Sequence, residues 1–252
     1  MVRSIFTVNR NMNVLQKKLE NTSANMTNMN TPGYKFQDMV QSTLESRDLI
    51  NYMGSNDLNR RQELGSLEFG NQIDEVYRNF NQGNLVETNK ETDFAIVDNG
   101  FFTIRMENGE LGFTRNGNFK VDNDSRLVTM EGYPVLGIDD FGNIVDIYVE
   151  NNRLNVDNKG EILGQDIRFQ MVDFLDYSNL TIVGDTIFTN NQGDYNIIQA
   201  DIRQRFLEMS NVDIASEMIK MIEIAREFES NQKLLHAADE TLGKAVNEIG
   251  RL

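Results

Sequence analysis

The stretch NMNTPGYKFQ, Asn28 to Gln37, stops a helical pattern that begins near the N-terminus. Upstream of it, Ile5, Val8, Met12, Leu15, Leu19, Thr22, Met26 and Met29 advance alternately by three and four, and seven of the eight are apolar. That spacing predicts one amphipathic helix of ~37 Å. Pro32 has no N–H for the preceding turn and Gly33 can take positive φ, so the helix is expected to finish by about Asn30. Asn30, Thr31, Pro32, Gly33 and Tyr34 are therefore read as the helix-ending turn. Replacing Pro32 and Gly33 together by Ala should, on this reading, lengthen the helix and impair assembly while leaving the β domain further along the chain folded.

The other end of the chain has the same grammar. Ile214, Met218, Met221, Ala225, Phe228, Gln232, Leu235, Asp239, Leu242, Val246 and Ile249 keep the three-four alternation, with two polar positions. They predict a helix of ~54 Å, with Asp213 as its N-cap and MSNVD separating it from an earlier stretch, Ile202 to Met209. Residues 1–40 carry five basic and two acidic side chains, residues 201–252 seven basic and ten acidic, so the two ends have net charges of +3 and −3. The whole formal charge of −15 thus falls on the middle. Complementary ends of this kind are expected to pair with each other or with other copies. The assembly seam is placed on Ile5, Val8, Met12, Leu15, Leu19, Met26, Ile214, Met218, Met221, Phe228, Leu235 and Leu242.

Between the ends the period shortens. Phe94 to Val97, Phe101 to Arg105, Gly112 to Thr114, Phe119 to Val121, Leu127 to Thr129 and Ile144 to Val149 read as strands. Asn99-Gly100, Asn108-Gly109, Asn116-Gly117 and Phe141-Gly142-Asn143 supply hairpin-turn chemistry. FKVDNDSRLV and LNVDNKGEIL echo one another as two similar hairpins. The stretch from about Gln41 to Arg78 is polar and lacks clear periodicity until IDEVYRNF, and reads as a connector. The fold class expected is α+β: long terminal helices pairing in a coiled-coil-like manner, and a central, mainly antiparallel β domain. The divisions are 1–36, 37–79, 80–200 and 201–252, the last pairing with the first.

Composition removes several function classes. A net charge of −15 with a pI near 4.5 argues against nucleic acid as a partner. There is no cysteine, and His236 is the single histidine, so thiolate and multi-histidine metal sites are excluded. His236 lies in the helical stretch KLLHAAD, where packing or surface exposure is the better reading than a catalytic base. Asp122, Asp124 and Glu131 mimic a calcium loop only briefly: Leu127 stands where such a loop needs Gly, and Tyr133 where it needs an acid. Asp140 to Gly142 spells DFG without the phosphate loop or catalytic sequence of a kinase, and reads as a hairpin turn. Acid pairs such as Asp93 with Asp98 could in principle serve glycoside hydrolysis, but solvated loops are the better reading among 39 acidic residues. No catalytic residue, metal or cofactor is expected, and no small-molecule substrate. The start of the chain lacks the apolar core of a Sec signal, which leaves the cytoplasm or export by another route.

Four stretches carry a resemblance. TSANMTNMNTPGYKFQ (Thr22 to Gln37) is similar to the N-terminal signature of flagellar rod, hook and hook-associated axial proteins. FNQGNLVETNKETDFAIVDNGFFTI (Phe80 to Ile104), FTRNGNFKVDNDSRLVTMEGYPVLG (Phe113 to Gly137) and FLEMSNVDIASEMIKMIEIAREFESNQKLL (Phe206 to Leu235) resemble the core and C-terminal motifs of rod proteins, in their expected order. Arg205 stands where members of the family often have Gly. By length the chain looks most like basal-body rod proteins of the distal or outer proximal type. The resemblance implies a structural subunit, exported unfolded by the flagellar type III apparatus, that polymerises helically into the drive shaft between motor and hook. It implies copies of the same chain, other rod and hook proteins and the export apparatus as partners, and the basal body as location. Paired helices would form the inner layer and the β domain the outer one, with Tyr34 and Phe36 packed at the corner. A secreted carbohydrate-binding or carbohydrate-active module with a helical tether is the alternative, and it would need a ligand-sized cleft holding two carboxylates.

Overall fold

A computed structural model describes residues 2–44, 46–53, 60–149, 154–190 and 194–249. The chain divides into two units: Met1–Met26, Gln37–Arg78 and Ile214–Leu252 form one, Thr27–Phe36 and Asn79–Asp213 the other.

The first unit holds both long helices, α1 (Val2–Thr27) and α2 (Ile214–Ile249). α1 stops a little before the position the proline predicts. Asn28 is the reason: its carbonyl accepts from the Thr31 N–H at 3.1 Å and its side-chain oxygen from the Thr31 hydroxyl at 3.0 Å. Local side-chain bonds of this kind compete with the helix and win one turn before Pro32 can act. α2 begins directly after Asp213, as the sequence expects.

Residues 37–79, read from sequence as a connector, carry four strands: β1 (Gln37–Thr43), β2 (Ser46–Met53), β3 (Arg60–Glu68) and β4 (Asn71–Arg78). β1 pairs antiparallel with β4 and β2 with β3, so the chain runs out along one side of a two-stranded ribbon and back along the other. The register shifts once in each pair, at Val40/Gln41 and Leu49/Ile50. Much of this ribbon is solvent-exposed on both faces, so its side chains need not alternate between apolar and polar. That is why periodicity gave no sign of it. Two-stranded ribbons are marginal when unsupported.

The second unit is built on a six-stranded antiparallel sheet in the order Leu180–Val183, Ile187–Asn190, Leu111–Thr114, Phe101–Arg105, Met171–Asp173, Asn196–Ile198. A three-stranded sheet (Ile144–Asp146, Leu136–Asp139, Ile167–Phe169) and three two-stranded pairings complete it. Consecutive residues of a strand face opposite ways, and Phe101 and Phe102 use this to enter different cores. Phe102, with Phe94, Ile104, Phe119, Leu127 and Phe169, belongs to the larger cluster. Phe101, with Phe113, Val172, Phe174 and Phe188, belongs to the smaller. The six predicted strands all occur, with ends shifted by a few residues at most. Apart from the one at Ile144, the strands between Leu136 and Ile198 were not predicted.

The echoed hairpins share their backbone bonds. Asp122 N–H donates to Arg126 and Asp157 N–H to Glu161, both at 2.9 Å, while Ser125 and Gly160 donate back to Asp122 and Asp157. Ser125 and Gly160 both have positive φ, 61° and 80°. DFG is a hairpin tip, closed by the Gly142 N–H on the Asp139 carbonyl, with Phe141 in solvent. Hydrogen bonds from Asn143, Phe141 and Gly142 hold the Asp139 carboxyl below its ordinary range.

Candidate assembly surface

On α1 the covered face holds Val14 and Leu15 together with Asn21, Thr22 and Asn25, all buried. The predicted seam residues Ile5, Val8, Met12 and Met26 are half-buried, and Leu19 is 37% exposed. On α2 the covered positions include Glu217, Met221, Ile224, Phe228, Asn231, Leu235, Ala238, Leu242 and Ala245, again at three-four spacing. Of the expected seam residues, Met221, Phe228, Leu235 and Leu242 are thus covered within the chain. The intervening covered positions sit one residue earlier, so this face is rotated by roughly a sixth of a turn from the seam. Ile214 and Met218 are left 42% and 52% exposed.

Polar groups explain the rotation. Asn25 Nδ2 donates to the Gln37 carbonyl at 2.8 Å and to Glu217 Oε2 at 3.0 Å, and the Gln37 N–H returns a bond to Asn25 Oδ1 at 3.2 Å. Asn21 Nδ2 donates to the same carbonyl at 2.9 Å. Further along, Asn11 Nδ2 donates to Glu227 at 3.2 Å. Descending α1 from 25 to 11 corresponds to ascending α2 from 217 to 227, so the helices run antiparallel. Lys220 lies 3.2 Å from Glu217 and 3.6 Å from Asp38. Burial works to lower the Lys220 pKa, but the bonds to these two carboxylates outweigh it and raise it. An apolar count cannot find this face, because Asn21, Asn25 and Glu217 hold it by hydrogen bonds.

The helix-ending turn has a second task, inside the β unit. Gly33 has φ +74°, and its N–H donates to the Glu208 carbonyl at 2.8 Å. A Cβ here would meet the backbone of Arg115 and Asn116. Gly33 therefore ends a helix and lets two backbones touch. This corrects the expectation for the Pro32/Gly33 double replacement: Ala at 33 disturbs the β unit as well. Tyr34 is buried, Thr31, Pro32 and Phe36 half-buried, and Asn30 exposed.

The residues after this turn lead to an ionic cluster missed in the sequence. Lys35 Nζ lies 2.6 Å from Glu208 Oε1 and donates to the Asn81 carbonyl at 2.8 Å. Arg115 approaches Glu208 Oε2 at 3.3 Å, donates to the Asp98 carbonyl at 2.7 Å and lies over the Phe101 ring at 5.3 Å. The Gly83 N–H adds a bond to Glu208 Oε1 at 3.0 Å. All three charged side chains are almost wholly buried. Burial lowers the pKa of both Lys35 and Arg115, against the pull of Glu208. Asn211 ties the same region together, accepting from the Phe36 N–H and donating to the Asn79 and Asn81 carbonyls. The available signal was a single charge in each of the otherwise apolar or turn-forming runs GYKF, FTRNG and FLEM.

One cavity of about 560 Å³ in the β unit is lined by Asp176 and Asp194 with Phe174, Asn179, Tyr195 and Asn196. Hydrogen bonds from Ser178 hold the Asp176 carboxyl below its ordinary range, opposite to what a general acid in glycoside hydrolysis needs. Asp93 is buried, and among the described residues no three His, Cys, Asp or Glu side chains cluster as metal ligands. No helix among them is long and apolar enough to cross a membrane.

Two family models match the chain: the flagellar basal body rod FlgEFG protein C-terminal region at residues 203–248, and the flagellar hook protein FlgE/F/G D1 domain at 95–164. The second includes Arg115 and the first Glu208. The flagellar basal-body rod protein FlgG of Borreliella burgdorferi is 31% identical, with 98% of each chain aligned. FlgF of Caulobacter vibrioides is 30% identical over 94% of each chain. The flagellar hook-basal body complex protein FlhO of Bacillus subtilis is 28% identical over the full length of both. With end-to-end similarity of this order, and a β unit whose matched segments meet at one buried cluster, the chain belongs to the flagellar basal-body rod protein family and is a structural protein of the flagellar basal body.

Proposed function

We propose that the chain assembles helically with copies of itself, and with neighbouring rod and hook proteins, into the shaft that carries torque from motor to hook. The observation that carries this reading is a contrast between the two units. In the β unit Phe94, Phe101, Phe102, Ile104 and Leu127 are fully buried, whereas among the described apolar residues of the helical unit Val14 and Leu15 alone are buried, and Phe6, Ile219, Ile222, Tyr52 and Leu64 are more than half exposed. A unit that buries so little of its own apolar surface is completed by other chains. On this reading α1 and α2 pair in a coiled-coil-like way, supported by their antiparallel bonds and by the three-four spacing of covered residues on α2. The predicted seam and the turn Asn30–Tyr34 serve assembly, the second by fixing where the helix stops.

Export in an unfolded state by the type III apparatus belongs to the same proposal, as does the position in the rod, taken no further than what the FlgG and FlgF relatives share. The test is sedimentation of the purified full chain over a range of concentrations, with electron microscopy of the pellet. Filaments of constant diameter above a threshold concentration are expected; a chain that stays monomeric at millimolar concentration sinks the proposal.

A further inference from the structure

Near its C-terminal end the β unit changes the way it is held together. Ile202 pairs with Ile96 and belongs to the larger apolar cluster. At Arg205 the backbone takes φ +66°, and from Phe206 to Glu208 the chain pairs instead with Leu85–Glu87, in a two-stranded sheet of its own. Leu207 is buried there, and Tyr34 is buried in the turn after α1, yet the described apolar clusters include neither.

Polar groups hold this segment. The N–H groups of Gly33, Thr88 and Met209 donate to the carbonyls of Glu208, Arg205 and Asn84 at 2.8, 2.6 and 2.9 Å. Glu208 takes Lys35 on one carboxylate oxygen and Arg115 on the other, and Asn211 accepts from the Phe36 N–H at 2.7 Å. The turn after α1 and the strand before α2 are thus fastened directly to each other, although Lys35 and Glu208 are 173 positions apart. Two cations on one carboxylate leave a positive charge out of water, so desolvation offsets much of what these bonds contribute. A segment held by hydrogen bonds and ions, with few apolar contacts, belongs to the low-stability end of a structure.

We propose that the turn, residues 31–36, and a strap, residues 205–211, form one latch that opens and closes as a unit, hinged at Arg205, while both apolar cores stay closed. Each half completes the other: without the strap Gly33 and Lys35 lose their acceptors on Glu208, and without the turn Asn211 and Glu208 lose donors. Order in one half is therefore coupled to order in the other. The two halves lead out of α1 and into α2, so both helix junctions come free together. The device concerns the isolated chain and goes beyond the rod reading, which stands whether or not the latch exists.

Hydrogen exchange of the full chain in dilute solution, followed amide by amide at low denaturant, reads the latch directly. Gly33, Thr88 and Met209 should share one opening equilibrium and exchange at least tenfold faster than Thr103 and Arg105, whose N–H groups donate to the Gln170 and Pro134 carbonyls. Leu207→Ala, in the strap, should speed exchange at Gly33 by the same factor as at Thr88, roughly tenfold or more. Val172→Ala, in the smaller core, should speed exchange at Thr103 and Arg105 to a similar extent and leave Gly33, Thr88 and Met209 unchanged. Equal exchange at all five amides of the native chain, or latch amides that follow Val172→Ala as closely as core amides do, would show a single cooperative unit and overturn the proposal. A Leu207→Ala effect that stops short of Gly33 would show two independent contacts, and overturns it as well.

Discussion

Glu208 is one buried carboxylate against two buried cations, and its loss strands both. Glu208→Gln is expected to destabilise the full chain by about 3–5 kcal/mol, since removing one partner of a buried ion cluster leaves uncompensated charge. Denaturant unfolding measures it, and a loss below about 1 kcal/mol would show that water reaches the cluster. Arg205 offers the opposite case. It has φ +66° at the point where the chain leaves the pairing with Phe94–Ile96 and takes up that with Leu85–Glu87. Arg205→Gly should stabilise by about 1 kcal/mol by relieving left-handed strain, with little lost from the exposed ion pair to Glu91. Unfolding midpoints decide the sign. Tyr177 donates to Asp173 at 2.7 Å, and burial first, then this bond, raises its pKa to about 12. A folded-state pKa above the unfolded value means a contribution to stability fully present below about pH 10 and lost as pH rises through about 12. Comparing the alkaline absorbance titration with that of Tyr177→Phe should show one phenol titrating late; identical curves count against the contact.

Among the elements, the turn after α1 was legible from Pro32 and Gly33, but its second duty was not. Gly33→Ala is expected to destabilise the β unit by roughly 2–4 kcal/mol, combining left-handed strain with displacement of the Arg115–Asn116 backbone. Pro32→Ala, which adds no atoms at the contact, should cost under about 1 kcal/mol. Equal effects of the two in thermal unfolding would mean that the turn only ends the helix. The ribbon formed by β1 to β4 was invisible to periodicity because a two-sided exposed strand has no buried face to alternate with. The helices were visible in length and place, and the face each covers within the chain is turned by a fraction of a turn from the expected assembly seam. Asn21, Asn25 and Glu217 took that face because each finds a hydrogen-bond partner, which outweighs the apolar preference.

For the whole molecule, the division into a helical unit with open apolar surface and a β unit with closed cores predicts uneven protection. In dilute monomer, amides of residues 214–249 should exchange faster than those of 101–105 and 171–173, and polymerisation should slow the former roughly tenfold or more. Uniform protection in a verified monomer would point to a self-contained fold. The sequence by itself determined the two terminal helices, the early strands with their Asn-Gly turns, the lack of cysteine and of a second histidine, and a family resemblance that end-to-end similarity to rod proteins supports. These features are local: they depend on residue types at short spacing along one strand, helix or turn. Only the tertiary structure decided the Lys35–Glu208–Arg115 cluster, whose members are 173 and 93 positions apart, and the face each helix turns inward. Such contacts depend on which distant groups arrive with matching charge or hydrogen-bond capacity, and spacing along the chain carries no record of that.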